Sequence, residues 1–314
     1  MFKNCTNLKG NLNFAKTLST TLSAGPSALY GMFEGCTSLS SIKYPPHSIN
    51  PADYAYARMF YGCSNLKNFT TCNLKGAKGT CCYTSMFEGC TKLTSPYIVI
   101  TFPKNVPSYA YAKMFSGCTR YMKEPEIRIE NYGTLSANNY CFYSMFENTA
   151  IEDFPLENLK MTYCGTYCCY NMFANCLNLN LGKIIERNDY YDTYSDWSNI
   201  PMFIGGATYD HNCFENMFSG CTALKYAPRF PNSMIIVGGE NNTFATFRNM
   251  FQGCTSLSAI RMENSVITLR NDYMFYGFAT NVSRTGVLYT ANQDDIDNSI
   301  PYTVLETNWT KVKI

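Results

Sequence analysis

One five-residue phrase recurs along this chain and narrows what it can fold into. "MFEGC" stands at 32 to 36, "MFYGC" begins at 59, "MFEGC" returns at 86, "MFSGC" begins at 114 and 217, and "MFQGC" at 250. The Met-Phe pair serves as a ruler, falling at Met1, Met32, Met59, Met86, Met114, Met145, Met172, Met217, Met250 and Met274, with spacings of 31, 27, 27, 28, 31, 27, 45, 33 and 24 residues. A further pair, Met202 and Phe203, lies inside the longest unit and lacks the flanking pattern. Units this short cannot bury an apolar face alone, so ten of them with a basic period near 27 have to stack on one another.

Position by position, the alignment assigns a role to each residue. Three residues after the Met stand Asn4, Gly35, Gly62, Gly89, Gly117, Asn148, Asn175, Gly220, Gly253 and Gly277, all Gly or Asn. These residues enter the left-handed conformation most readily, which predicts the C-terminal cap of a short helix. Backwards from that cap the apolar spacing is i, i+3, i+4, i+7, as in Tyr56, Met59, Phe60 and Cys63, in Tyr83, Met86, Phe87 and Cys90, and in Tyr111, Met114, Phe115 and Cys118. Asn50 and Pro51 suit a helix start, as do Pro26 and Pro107. Past the turn comes a large apolar residue, among them Leu39, Leu66, Leu93, Tyr121, Leu179, Leu224 and Leu257, followed by strand-like text such as "PYIVITFP" (96 to 103) and "EIRIE" (126 to 130). The expected brick is a two- to three-turn helix, a tight turn and a short strand. Met59, Phe60, Gly62, Cys63, Met86, Phe87, Gly89, Cys90, Met114, Phe115 and Gly117 form its structural framework, and the strands are expected to add to one sheet.

Composition excludes several function classes. With 25 Lys plus Arg against 23 Asp plus Glu, the chain has no electrostatic footprint for a nucleic-acid backbone. No stretch reaches the roughly 18 apolar residues of a membrane helix, and the first residues do not read as a signal peptide, so the sequence reads as that of a soluble protein with no membrane insertion. No nucleotide loop, zincin motif or nucleophile elbow is present, and the 2 histidines leave proton transfer short of its usual agent; the chain is expected not to be an enzyme and to need no cofactor. "NQDDIDN" (292 to 298) lacks the Gly and final Glu of a calcium loop and reads as a solvated acidic turn.

The 16 cysteines follow the same ruler. Cys5, Cys36, Cys63, Cys90, Cys118, Cys176, Cys221 and Cys254 share the position after the Gly/Asn site. Cys82, Cys141, Cys168 and Cys213 stand four before the Met, where sister units carry Ala28, Ala55, Ala110 and Thr246. A site that accepts Ala needs a small residue rather than sulfur, so reduced packing thiols are the leading reading. One or more disulfides, involving Cys72, Cys81, Cys164 or Cys169, are the second reading, and a metal site, with only His47 and His211 to help, is the third.

On these residues the chain resembles the BspA-type leucine-rich repeats, and more closely the variant with a repeated MFxGCTSL phrase found in surface proteins and phage proteins of gut bacteria. "MFEGCTSL" at 32 to 39 and "MFQGCTSL" at 250 to 257 match that phrase as they stand, and the resemblance runs from residue 1 to about 285. It implies an α/β repeat solenoid, a leucine-rich-repeat-like stack of helix-turn-strand units over 1–285, extracellular, on a cell surface or borne on a virion, that binds protein or glycan. It brings no catalytic residue, because the matching positions are scaffold. Thr149 replaces Cys in the sixth unit and Phe278 does so in the last, where regular stacking is expected to loosen.

Departures from the brick are where recognition is expected. The 45-residue unit carries an insertion over about 185–205, "NDYYDTYSDWSNIPMF" (188 to 203), in which Tyr190, Tyr191, Tyr194 and Trp197 alternate with carboxylates including Asp196. Such text suits a glycan platform or a protein hot spot, and equally aromatics that fold down to seal a stretched unit. "GGENN" (238 to 242) reads as a turn. Met1 opens a unit whose preceding helix is missing, so either that helix start lies on a removed segment or a partner chain or domain covers this face, while residues 286–314 abandon the repeat and read as a strand-rich C-terminal cap. Two function classes follow: a binding or adhesion module such as a phage receptor-binding or fibre protein or a bacterial adhesin, and a structural virion or assembly component with no ligand of its own.

Overall fold

The computed structural model describes residues 1–13, 24–43, 50–69, 72–94, 98–120, 126–129, 134–156, 159, 161–182, 185–186, 195–196, 208–230, 235–236, 245–262, 276–290 and 308–313. It is a parallel β-solenoid, and the expected helix is absent: no α-helix occurs among the described residues. Around Met59, φ is +56° at Tyr54, +56° at Arg58 and +69° at Gly62, a left-handed residue at every fourth position, which no right-handed helix accommodates. The N–H groups alternate in direction instead. Ala55, Ala57, Met59, Tyr61 and Cys63 donate to the carbonyl three residues back at 3.0 to 3.1 Å, whereas Tyr54, Tyr56, Arg58, Phe60 and Gly62 donate to Thr80, Cys82, Thr84, Met86 and Glu88 of the next unit at 2.8 to 3.0 Å.

This segment is a ribbon of successive turns, and it explains why helical spacing misled. Positions i, i+3, i+4 and i+7 also fit a period of four, which puts Ala55, Met59 and Cys63 in one buried column and Tyr56 and Phe60 in another. A helix would spend all its N–H groups on itself; the ribbon exports half of them and so hydrogen-bonds each unit to the next. The ten Gly and Asn residues do adopt positive φ, between +58° and +74°, but they mark ribbon corners and end no helix.

The last unit is shifted by one ribbon turn from its Met-Phe text. Asn249, Phe251 and Gly253 donate to Tyr276, Phe278 and Thr280, so Phe278 takes the place that Met occupies elsewhere. Asn281, with φ +56°, then holds the left-handed corner and buried Val282 the cysteine site. Measured from Met250 the spacing becomes 28 residues, close to the basic period. Met274 itself lies outside the described residues.

Inside, Phe2, Phe33, Phe60, Phe87, Phe115, Phe146, Phe173, Phe218 and Phe251 form one continuous stack, each ring 5.3 to 5.6 Å from the next and within 9° of parallel. Met59, Met86 and Met114 are buried beside it. Burying each such ring contributes about 1.5–3 kcal/mol, and each ring pair about 0.5–1.5 kcal/mol more. The stack passes the 45-residue unit unbroken, Phe173 to Phe218 at 5.5 Å.

All sixteen cysteines are free thiols, and only Cys5 is exposed. The framework thiols have a defined partner: Cys63, Cys90, Cys118, Cys176, Cys221 and Cys254 each donate Sγ–H to the ladder Phe carbonyl of the preceding unit, at 3.0 to 3.1 Å. The expected loosening at Thr149 does not occur. Its hydroxyl meets the Cys176 sulfur at 3.3 Å, and Phe146 and Phe173 stack across it at 5.6 Å.

The strand text folds as strands. Ile98–Phe102 and Glu126–Ile129 pair in parallel, with Ile98, Ile100 and Phe102 turned into the core and Val99 and Thr101 half-buried. Among the described residues the strands fall into separate sheets rather than the single one expected. One sheet joins Gly10–Asn13, Leu39–Lys43 and Asn68–Phe69; a second joins Cys72–Lys75, Ile98–Phe102 and Glu126–Ile129; a third orders Asn105–Val106, Leu135–Ala137, Met161–Cys164, Thr208–Tyr209 and Ile235–Ile236; a fourth joins Ala259–Met262, Thr285–Thr290 and Asn308–Lys313. All four are parallel, and Ile185–Glu186 with Ser195–Asp196 makes a separate antiparallel pair. Within one unit, Asn68–Phe69 pairs back to Ser41 and Ile42, whereas Cys72–Lys75 pairs forward to Ile98 through Thr101.

Two outcomes are expected from this framework. A Cβ added at Gly62 would meet no atom within 4 Å, so substitution there tests φ alone: Gly62→Val should lower stability by about 1–2 kcal/mol and Gly62→Asn far less, as urea melts would show. Equal losses would contradict the left-handed corner. Burial raises the Cys63, Cys72, Cys176 and Cys254 thiols from 9.0 to about 12. The unfolded chain then releases thiol protons that the folded chain retains, so this stability is intact below about pH 9 and is lost as pH rises toward about 12. Urea midpoints should therefore fall between about pH 8 and about pH 10; a flat profile would contradict the buried assignment.

Candidate functional site, a tyrosine ladder on the turn ribbon

The inner columns of the ribbon are filled by the core, which leaves function to the outer ones. Five residues before the Met, Ser27, Tyr54, Cys81, Tyr109, Tyr140, Tyr167 and Asn212 all have φ between +54° and +58°, making this column a corner. Units stack in register, so tyrosines in this column meet. Tyr109 lies on Tyr140 with centroids 4.6 Å apart and rings 4° from parallel, and Tyr140 lies on Tyr167 at 5.1 Å. A second column, two before the Met, adds Tyr143 on Tyr170 at 5.2 Å and 4°. Tyr140 contacts Tyr143 at 5.9 Å and Tyr167 contacts Tyr170 edge-on at 5.4 Å, which joins the columns into one five-ring patch.

Tyr109 is 39% exposed and the other four rings are half-buried. Because the rings stack face to face, they offer solvent their edges and hydroxyls. Burial raises the Tyr109, Tyr167 and Tyr170 pKa above the ordinary phenol value, reinforced by neighbouring Tyr140 for the first and by the Glu215 charge for the other two. Their hydroxyls are accordingly protonated at neutral pH and available as both donors and acceptors. Charged and amide groups rim the patch. Lys113 Nζ lies 5.9 Å from the Tyr143 centroid, Glu215 accepts from Asn212 Nδ2 at 2.6 Å and pairs with Arg248 at 3.8 Å, and the Tyr163 hydroxyl donates to Asp210 at 3.4 Å.

The other charged cluster of the ribbon is more self-contained. Glu34 sits between Arg58 at 2.8 Å and Lys3 at 3.4 Å, and Arg58 also covers the Tyr61 ring at 3.7 Å. Hydrogen bonding from Arg58 holds the Glu34 carboxyl below the usual carboxylate range despite partial burial. Among the described residues no group of three or more His, Cys, Asp or Glu is arranged to hold a metal ion, and no helix is long and apolar enough to cross a membrane.

Of the insertion residues expected to carry recognition, Tyr190, Tyr191, Tyr194 and Trp197 lie outside the described residues, and Asp196 is described only as part of the short strand Ser195–Asp196. The framework residues Met59, Phe60, Cys63, Met86, Phe87, Cys90, Met114 and Phe115 come together in the core, with Gly62, Gly89 and Gly117 at one corner column. The tyrosine ladder was missed by sequence reasoning although its signal is present: Tyr54, Tyr109, Tyr140 and Tyr167 all stand five before a Met.

Comparison with known families agrees with this architecture. A sequence profile described as the BspA type leucine rich repeat region matches residues 1–195 and 211–285 in 6 copies. No curated protein and no solved structure shows a significant match.

Proposed function

Since the chain belongs to the BspA-type leucine-rich repeat family, we propose that it is a binding or adhesion module that presents its solenoid face to a protein or glycan on a cell surface. The family is typically a non-enzymatic interaction scaffold, associated with surface proteins. The single observation that carries the reading is the five-tyrosine patch on the outer ribbon, a surface the core does not need. Exposed tyrosine supplies large contact area at low conformational-entropy cost and is enriched at binding hot spots. Its hydroxyls repeat at the rung spacing, 4.6 to 5.1 Å between rings, which suits a ligand that itself repeats hydrogen-bonding groups, as a glycan or an extended chain does.

The insertion over about 185–205 belongs to the same unit as Tyr167 and Tyr170, and we place a second contact there, with Tyr190, Tyr191, Tyr194, Asp196 and Trp197 as its residues. On this reading the module stands on a bacterial surface or a phage fibre, residues 1–285 form the binding solenoid, and residues 286–314 close it.

Binding to bacterial cells and to arrayed glycans tests the proposal. Tyr140→Ala with Tyr167→Ala should weaken capture by about 30-fold for each ring, on the order of 2 kcal/mol per anchor, a loss larger than the lowered unfolding midpoint of these half-buried rings accounts for because the variant remains folded under the binding conditions. Tyr194→Ala with Trp197→Ala tests the insertion separately. Unchanged capture in both double variants would overturn the binding reading and favour a structural assembly role.

A further inference from the structure

Units six to eight gather sulfur in a way the repeat does not require. Cys141, Cys164, Cys168, Cys169 and Cys213 are all fully buried, and Met161 lies among them. Cys168 is the centre, with its Sγ 3.4 Å from Cys141 Sγ and 3.7 Å from Cys169 Sγ. Cys141 and Cys168 stand side by side on adjacent parallel rungs, clamped there by Tyr140 N–H to Thr166 at 3.0 Å and Phe142 N–H to Cys168 at 2.9 Å. Rungs about 4.8 Å apart fall inside the Cα separation of about 4.4–6.8 Å that a disulfide spans.

We propose that Cys141 and Cys168 are a cross-linking site, joined as a disulfide between neighbouring rungs when the protein meets a small-molecule disulfide in an oxidising compartment. Several other thiols have partners of their own. The framework cysteines donate to Phe carbonyls, Cys213 donates to the Asp210 carbonyl at 3.0 Å, and Cys164 lies against Met161 sulfur at 3.1 Å. Cys82 has Ala55 and Ala110 on either side in its column. Cys168 and Cys169 are consecutive residues, a pairing that strains the backbone.

In the reaction, the Cys168 thiolate attacks one sulfur of the small disulfide, its S–S bond breaks, and one small thiolate leaves. Cys141 then attacks the Cys168 sulfur of the mixed disulfide, the Cys141–Cys168 bond forms, and the second small thiolate leaves. Two protein thiols are oxidised, one small disulfide is reduced to two thiols, and the two protons lost by the protein end on the departing thiolates. Cys168 Sγ has sulfur on two sides, Cys141 and Cys169, whose S–H groups can donate to its thiolate. The link would tie the backbone beside the stacked pair Tyr140 and Tyr167, since each tyrosine directly precedes one of the cysteines. The chemistry stands whether or not those rings bind a ligand.

The test treats the full chain with oxidised glutathione in two ways, by prolonged incubation of the folded protein and by refolding the reduced protein in a glutathione redox mixture. Alkylation and non-reducing proteolysis with mass spectrometry follow. The expected result is a Cys141–Cys168 peptide pair and the loss of two from the sixteen alkylatable thiols. Cys141→Ala should abolish the pair and Cys213→Ala should leave it; both variants should fold, because Ala28, Ala55 and Ala110 occupy the same column. Sixteen alkylatable thiols after both treatments, or a predominant pair other than Cys141 with Cys168, would overturn the assignment.

Discussion

The fold depends on one arrangement of backbone hydrogen bonds, in which every second N–H of a ribbon leaves its own turn and donates to the next unit. Phe60 to Met86, Phe87 to Met114, Phe115 to Met145 and Phe146 to Met172 are successive instances. A buried amide left without a partner costs about 1–3 kcal/mol, so a rung cannot slip without breaking five bonds of the kind seen from Tyr54 to Gly62. Register fixed in this way brings like residues together from unit to unit. The Phe ladder, the thiol-to-carbonyl bonds and the tyrosine columns are consequences of it. Left-handed residues are the cost, and the corners where Arg58 or Lys113 stands instead of Gly or Asn are held by donation into the neighbouring rung, Arg58 to Thr84 and Lys113 to Tyr143.

This dependence explains what could be read from the sequence. The period, the left-handed corner and the strands at Ile98–Phe102 and Glu126–Ile129 were legible because each rests on a local chemical preference: the freedom of Gly and Asn, and β-branched alternation. The ribbon was not legible, because over eight residues a 3.6-residue period and a four-residue period select the same apolar positions. What separates them is the destination of the N–H groups, which side-chain patterns do not report. The final unit misled for the same reason. A Met-Phe pair at 274 suggested one register, while hydrogen bonding from Phe251 to Phe278 sets another one ribbon turn away.

The candidate site follows from the same register by a different route. Residues facing inward are repeated because each must meet its own kind; residues at the corner five before the Met are released from that demand and vary through Ser, Tyr, Cys and Asn. Where three consecutive units choose Tyr at that corner, and two choose it again two before the Met, stacking follows without any further instruction. The insertion over about 185–205 is conspicuous because it interrupts the brick. The ladder lies where the brick is intact, and only column-by-column comparison of Tyr109, Tyr140 and Tyr167 reveals it.

Sulfur in units six to eight needs a separate explanation, because smallness alone does not supply one. The column four before the Met accepts Ala in three units, yet Cys141, Cys168 and Cys213 are consecutive there. In the adjoining column Tyr56, Tyr83, Tyr111, Phe142, Phe214 and Phe247 are aromatic, and Cys169 alone among these replaces a ring with a thiol. Truncating a buried aromatic to a small residue typically costs about 3–5 kcal/mol when nothing fills the space. Here Met161, Cys164 and Cys168 are buried at that point, and the strand that carries the first two is the one that precedes Cys168 in the chain. Where the ring is missing, buried sulfur gathers instead, and Cys168 lies 3.4 Å from Cys141 on the neighbouring rung, closer than the 3.7 Å to Cys169.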